Sequence, residues 1–257
     1  MPSQYDPQAY ATLIHFTPRA DVNPFTIDDG SSEGERWKEI MRPLVKAPGH
    51  HCSLWGHIIE RTPRMLLITR WRTHDGWPAF RSSEGYSHLS RELQAISSTT
   101  LETRLFDFDG APFDIHLKGY TALTEVQFAP RPPPKADADH IRGLIYKVGG
   151  VAGRSPYRSH PARGHVVSQE PANIDSATGP APEGAITLLL QYWKSEEAEQ
   201  KYKSSPAQLK PPGADPGETK LQMWERTVSE AGAENWDEVH CEFVPVPSAF
   251  QGEPWGT

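Results

Sequence analysis

The chain has 257 residues, 37% of them hydrophobic, which is enough for one large core or two modest ones. Its formal net charge of −7, with no basic cluster, argues against a nucleic-acid surface. No apolar run reaches the roughly 18 residues of a membrane span, and Cys52 and Cys241 are too few for a disulfide framework.

The predicted elements begin with Tyr10–Thr17, a β-prone run halted by Pro18. After a loop with Asn23, Pro24 and Gly30, Ser32 and Glu35 have capping-box spacing. Trp37, Ile40, Met41, Leu44 and Val45 then recur at helical spacing until Ala47-Pro48-Gly49 stops the helix. His51–Glu60 and Met65–Trp71 read as two strands joined by Arg61-Thr62-Pro63-Arg64. A helical region from about Asp75 carries Trp77 and Phe80 on one face. It breaks at Ser83-Glu84-Gly85, and a helix with Tyr86, Leu89, Leu93 and Ile96 follows. Leu101–Phe108 alternates apolar and polar residues as a fourth strand. The order is βαββαβ.

The same order returns downstream. Tyr120–Phe128 is a strand, and Ile141, Leu144, Ile145 and Val148 mark a helix. Gly164–Glu170 and Ala185–Trp193 form a hairpin pair, Glu196–Tyr202 and Leu221–Val228 a helical region, and Val239–Val246 a last strand. Three landmarks recur in order: Phe16-x-Pro-Arg and Phe128-x-Pro-Arg, Gly56-His57 and Gly164-His165, then Trp71-x8-Phe80-Arg-Ser-Ser and Trp193-x8-Tyr202-Lys-Ser-Ser. Differences fall in loops. Pro171–Gly184 and Ser204–Gly217 are rich in Pro, Gly and Ala and are expected to be irregular, with a lid role for the second copy.

A third strand ending in Trp71, followed by Trp77, Phe80, Ser83 and Tyr86, resembles the dimeric α/β-barrel superfamily, in its antibiotic-biosynthesis-monooxygenase-like branch as found in fungal genomes. The resemblance implies an α+β chain of two tandem ferredoxin-like repeats, residues 1–117 and 118–257, closing one barrel within a single chain. Each sheet has helices on one face only and must cover the other. The resemblance also implies an enzyme of secondary metabolism working without a cofactor on a hydrophobic, polyketide- or terpenoid-like molecule. Cyclisation, isomerisation or dehydration by His/Glu proton transfer is the first reading. A cofactor-free monooxygenase, or a non-catalytic binding or stress-response protein, is the alternative. Many monooxygenase-like members carry His where this chain has Phe80 and Tyr202, and no axial His for haem is assignable by motif.

Strand parity nominates the polar groups. His57 on the second strand, His15 on the first and Glu125, mid-strand among apolar neighbours, are the expected catalytic set, with the first copy supplying the polar site. Trp55, Arg70, Trp71, Phe80, Tyr86, His88 and His165 are the expected substrate contacts. His50-His51 beside Cys52 has no further ligand at metal spacing, so no metal is expected. No membrane or nucleic-acid partner is expected, and the chain should be a monomer or a weak homo-oligomer. The N-terminus lacks a signal peptide's charged and apolar regions, which points to the cytoplasm.

Overall fold

Period-two burial in the strands gives the molecule two kinds of interior. In the computed structural model, which describes residues 8–23, 30–109, 119–128, 162–170, 186–207 and 217–246, the elements are β1 (Gln8–Phe16), α1 (Ser32–Val45), β2 (His50–His57), β3 (Met65–Trp71), α2 (Gly76–Arg81), α3 (Glu84–Ile96), β4 (Glu102–Asp109), β5 (Gly119–Phe128), β6 (Ala162–Glu170), β7 (Ile186–Tyr192), α4 (Glu196–Lys203), α5 (Lys220–Glu230) and β8 (Ala233–Pro245). The strands close an antiparallel barrel in the order β1-β3-β2-β8-β5-β7-β6-β4. Each half contributes four adjacent strands in matching order, β4-β1-β3-β2 and β8-β5-β7-β6. The α+β class and the antiparallel barrel expected from the sequence are present.

Among the described residues, alternate strand positions fill the lumen. Ala11, Leu13, Leu54, Ile68, Phe106, Phe108, Leu123, Leu188, Leu190, Cys241 and Phe243 form one apolar cluster there. The opposite face of the first-half strands packs on α1 and α3 through Trp37, Trp55, Leu67, Trp71, Leu89 and Leu93. Trp37 meets Trp55 edge-on at 4.9 Å, and the Trp71 indole Nε1 donates to Thr12 Oγ1 at 3.1 Å.

The repeated Ser-Ser signature is a joint between helices. Ser83 Oγ donates to the Phe80 carbonyl at 2.6 Å while accepting from Tyr86 N at the start of α3. Ser205 Oγ donates to the Tyr202 carbonyl at 2.6 Å, and its own carbonyl accepts from Lys220 N at 3.0 Å. One hydroxyl thus closes a helix that has run out of partners. The glycine of the Gly-His signature is explained at Gly56. A Cβ there would lie 2.4 Å from the Glu242 carbonyl oxygen, where β2 closes on β8. Gly56→Ala is expected to destabilise the fold by about 1–3 kcal/mol, because the obstacle is backbone. An unchanged urea midpoint would count against this close approach.

Among the boundaries that differ from expectation, three have a local physical reason. The α1 cap is Ser31, whose side chain accepts from Gly34 N, rather than Ser32. β2 ends at His57 and a 3-10 turn covers Ile59–Arg61, because Ile58 N bonds back to the Arg64 carbonyl and starts the hairpin turn early. β8 begins at Ala233 rather than Val239. Its first residues are mostly polar and show no alternation, yet their backbones pair with β5 as far as Phe128. The helix expected at Ile141–Val148 and the Pro171–Gly184 loop lie outside the described residues. None of the described helices is long and apolar enough to cross a membrane.

Candidate functional site

The barrel places His15 and Glu125 on its lumen face and His57 on the other face of the sheet. His15 continues the lumen face of Ala11 and Leu13, and Glu125 continues that of Leu123. Arg104, on the lumen face of Phe106 and Phe108, donates to both Glu125 oxygens at 2.9 and 2.8 Å. β4 and β5 are not neighbours, so this ion pair crosses the lumen. Burial, reinforced by the charges of Arg64, Arg104 and Arg61, holds His15 neutral with a pKa of about 3. His57 lies on the other face of the sheet, with Trp55, and burial lowers its pKa.

The nominated contacts are mostly core. Trp55, Trp71 and Phe80 are at most 3% exposed, and Trp71, Trp77, Phe80 and Tyr86 stack with centroid distances of 5.3–6.4 Å. Arg70 sits on the lumen side of β3 opposite Ala11 and Cys52, far along the strand from the His15 end. His88 is on α3, bonded to the Arg91 guanidinium at 3.0 Å. His165 pairs with Asp107 and Thr187 in the sheet, and its side chain lies outside the described residues.

The second half departs from this solid packing. Glu199 lies six residues after Trp193, as Trp77 lies six after Trp71. Glu238 sits opposite Thr124 in the sheet, as Leu105 sits opposite Thr12. Two positions that are apolar between sheet and helices in the first half are carboxylates in the second. α4 forms because Ser195 caps it, with Glu196, Glu197 and Glu199 in its first turn and Lys201 and Lys203 in its last, matching the helix dipole. Its inward face carries Glu199, Tyr202 and Lys203 at helical spacing.

These side chains build an ionic cluster beside a half-open cavity. The Lys203 ammonium lies 2.8 Å from the fully buried Glu199 and also pairs with Glu238, which accepts from Thr124 Oγ1 at 2.9 Å. His240 Nε2 lies 3.0 Å from Glu199, and its Nδ1 meets Glu60, which comes from the hairpin tip of the first half. Tyr120 stacks on the imidazole at 4.9 Å. The cavity is bounded by Thr124, Gln191, Trp193, Tyr202, Trp224 and Glu238, with Lys203 and Lys220 among its walls. It encloses about 410 Å³ with its mouth included.

Burial works against the charge on His240, but the Glu199 and Glu60 carboxylates prevail and raise its pKa to about 9. Burial likewise opposes the charges of Glu199 and Lys203, and each is overridden by the partners: Glu199 is held low and Lys203 high. The imidazolium is therefore the resting form at neutral pH. Its stabilisation is complete below the unfolded His value near 6.5 and is lost as pH rises through about 9. His15 acts oppositely: its contribution is present above about 6.5 and is lost as pH falls towards about 3. Urea midpoints measured from pH 6 to 10 should fall on the alkaline side, and His240→Gln should flatten that limb. An equal slope in both proteins would refute the assignment.

Glu199, Glu238 and His240 present ligand atoms within 4.8 Å of one another, a spacing that suits a metal ion. The Lys203 ammonium already bridges the two carboxylates, so the set fits an internal cation better than a metal.

No family model and no curated protein matches the sequence. Solved structures do. An anthrone oxidase-like protein superposes with a TM-score of 0.57 at 13% identity, over 92% of this chain and 91% of its own. A protein named as a monooxygenase from Fusobacterium nucleatum subsp. nucleatum gives 0.55 at 8%, covering 92% of both chains. Another, from Lactobacillus acidophilus, gives 0.50 at 11%, over 92% and 94%. The chain shares their α/β-barrel fold. At these identities the likeness extends to the fold alone.

Sequence reasoning did not reach Glu60, Glu199, Lys203, Glu238 or His240. The available signal was that Glu199 stands at the same distance from Trp193 as Trp77 from Trp71.

Proposed function

We propose that the protein is an enzyme of small-molecule metabolism, acting on a hydrophobic ring-bearing substrate by proton transfer in the second-half cavity, with no resident cofactor. One observation carries this reading: Glu238 is both a wall of the cavity and a member of the buried cluster. Held by Lys203 and Thr124, its carboxylate is the acid–base group. Lys203, Glu199 and His240 keep the surrounding charge in place, while Trp193, Tyr202 and Trp224 bracket the ring. Cyclisation, isomerisation and dehydration all begin or end with such a transfer. The matching strand order of the two halves supports reading them as tandem ferredoxin-like copies, 1–117 and 118–257.

The names of the structural neighbours favour a second reading. Removing a proton from an enolisable aromatic leaves a carbanion that reduces dioxygen, giving a quinone-type product and water. Oxygen uptake with anthrone would support oxygenation, whereas product formation under strict anaerobiosis would support the proton-transfer reactions. In either case Gln191→Trp, which fills the cavity from its wall, should reduce turnover at least tenfold at an unchanged melting temperature. Full turnover by that variant would place the chemistry elsewhere, the barrel end with His15 and Glu125 being the first alternative.

A further inference from the structure

We propose that the substrate carries an ionised oxygen on its aromatic ring, a phenolate or a carboxylate, and that Lys220 recognises it. This rests on reading the cavity as the substrate site.

Two lysines line the cavity, and they differ in their partners. Lys203 is neutralised between Glu199 and Glu238. The Lys220 ammonium lies 3.8 Å from the centre of the Tyr202 ring and pairs with no carboxylate among the described residues. The nearby acids are already taken, since Glu218 is held by both arms of Arg226 at 2.8 and 3.1 Å.

Its backbone position adds to the imbalance. Lys220 is the first residue of α5, at the positive end of the helix dipole, and the first turn contains no acid to offset it. The capping box of Thr219 and Gln222, with Lys220 N bonded to the Ser205 carbonyl, pins the residue there. Loss of solvent lowers its pKa in the same direction. A cation placed against its helix, partly stripped of water and facing a cavity walled by Trp193, Tyr202 and Trp224 has no anion to match it among the described residues. A flat ring with an acidic oxygen supplies the charge for Lys220 and the surface for the aromatic walls. It also leaves Glu238 free to act on a neighbouring position of the ring.

The test uses two matched pairs titrated by tryptophan fluorescence at pH 8: benzoate against benzamide, and 4-nitrophenolate against 4-nitroanisole. The wild-type protein should bind at least one anion tenfold or more tightly than its neutral match, and the pair that shows this names the source of the charge. Lys220→Met should abolish the preference and Lys220→Arg should keep it, with melting temperatures reported for both. Equal binding of charged and neutral probes, or a preference that survives Lys220→Met, overturns this inference and leaves the cavity reading intact. Failure of all four probes to bind overturns both.

Discussion

Lys203→Met is expected to destabilise the protein by about 3–5 kcal/mol, because it strips the counter-ion from buried carboxylates without removing them. Glu199 is fully buried and would keep His240 and the Tyr120 hydroxyl, while Glu238 would keep Thr124 and, at 3.7 Å, His240. In a chain of this size the melting temperature should fall on the order of 10 °C. The informative control removes the whole group. Glu199→Leu, Lys203→Met and Glu238→Leu together resemble the apolar arrangement of the first half, where Trp77 and Leu105 hold the corresponding places. That triple variant should recover most of the lost stability, since a buried ion group is often no better for folding than apolar residues of like volume. Recovery would mean that the cluster is retained for something other than stability. A triple variant as unstable as Lys203→Met would make the cluster a structural element.

Glu238→Gln is expected to lower kcat by about 10²–10⁴-fold, the range for loss of a positioned acid–base group, with little change in KM. The amide keeps the shape and can still accept from Thr124 Oγ1, but it can neither take a proton nor pair ionically with Lys203. Glu238→Asp should retain part of the activity. The measurement is steady-state kinetics beside a thermal melt, which separates lost chemistry from lost fold. Near-wild-type kcat in the Gln variant would remove Glu238 from the mechanism.

The two sheet faces differ in how far they could be read in advance. Trp37, Ile40, Met41 and Leu44 announced α1 by spacing, and Met65–Trp71 was bounded correctly, because helical and strand periods are local properties. Parity correctly grouped Trp55 with Leu67 and Trp71. It did not say that this face meets the helices while the His15 face closes the lumen, since alternation distinguishes two sides without naming them. The first half looked the richer in chemistry because its His and Trp residues are conspicuous. Its Trp side chains proved to fill the space between sheet and helices.

By itself the sequence determined the kinds and order of the described strands and helices, the paired landmarks of the two halves and the positions where they disagree. Barrel closure and the meeting of Glu60, Glu199, Lys203, Glu238 and His240 were decided only by the tertiary structure. Glu199 and Lys203 share a helix face and Glu238 and His240 a strand face, but no spacing connects the hairpin tip, the helix and the last strand. Ionic attraction in a dry interior depends on distance through space, which only the packed chain defines.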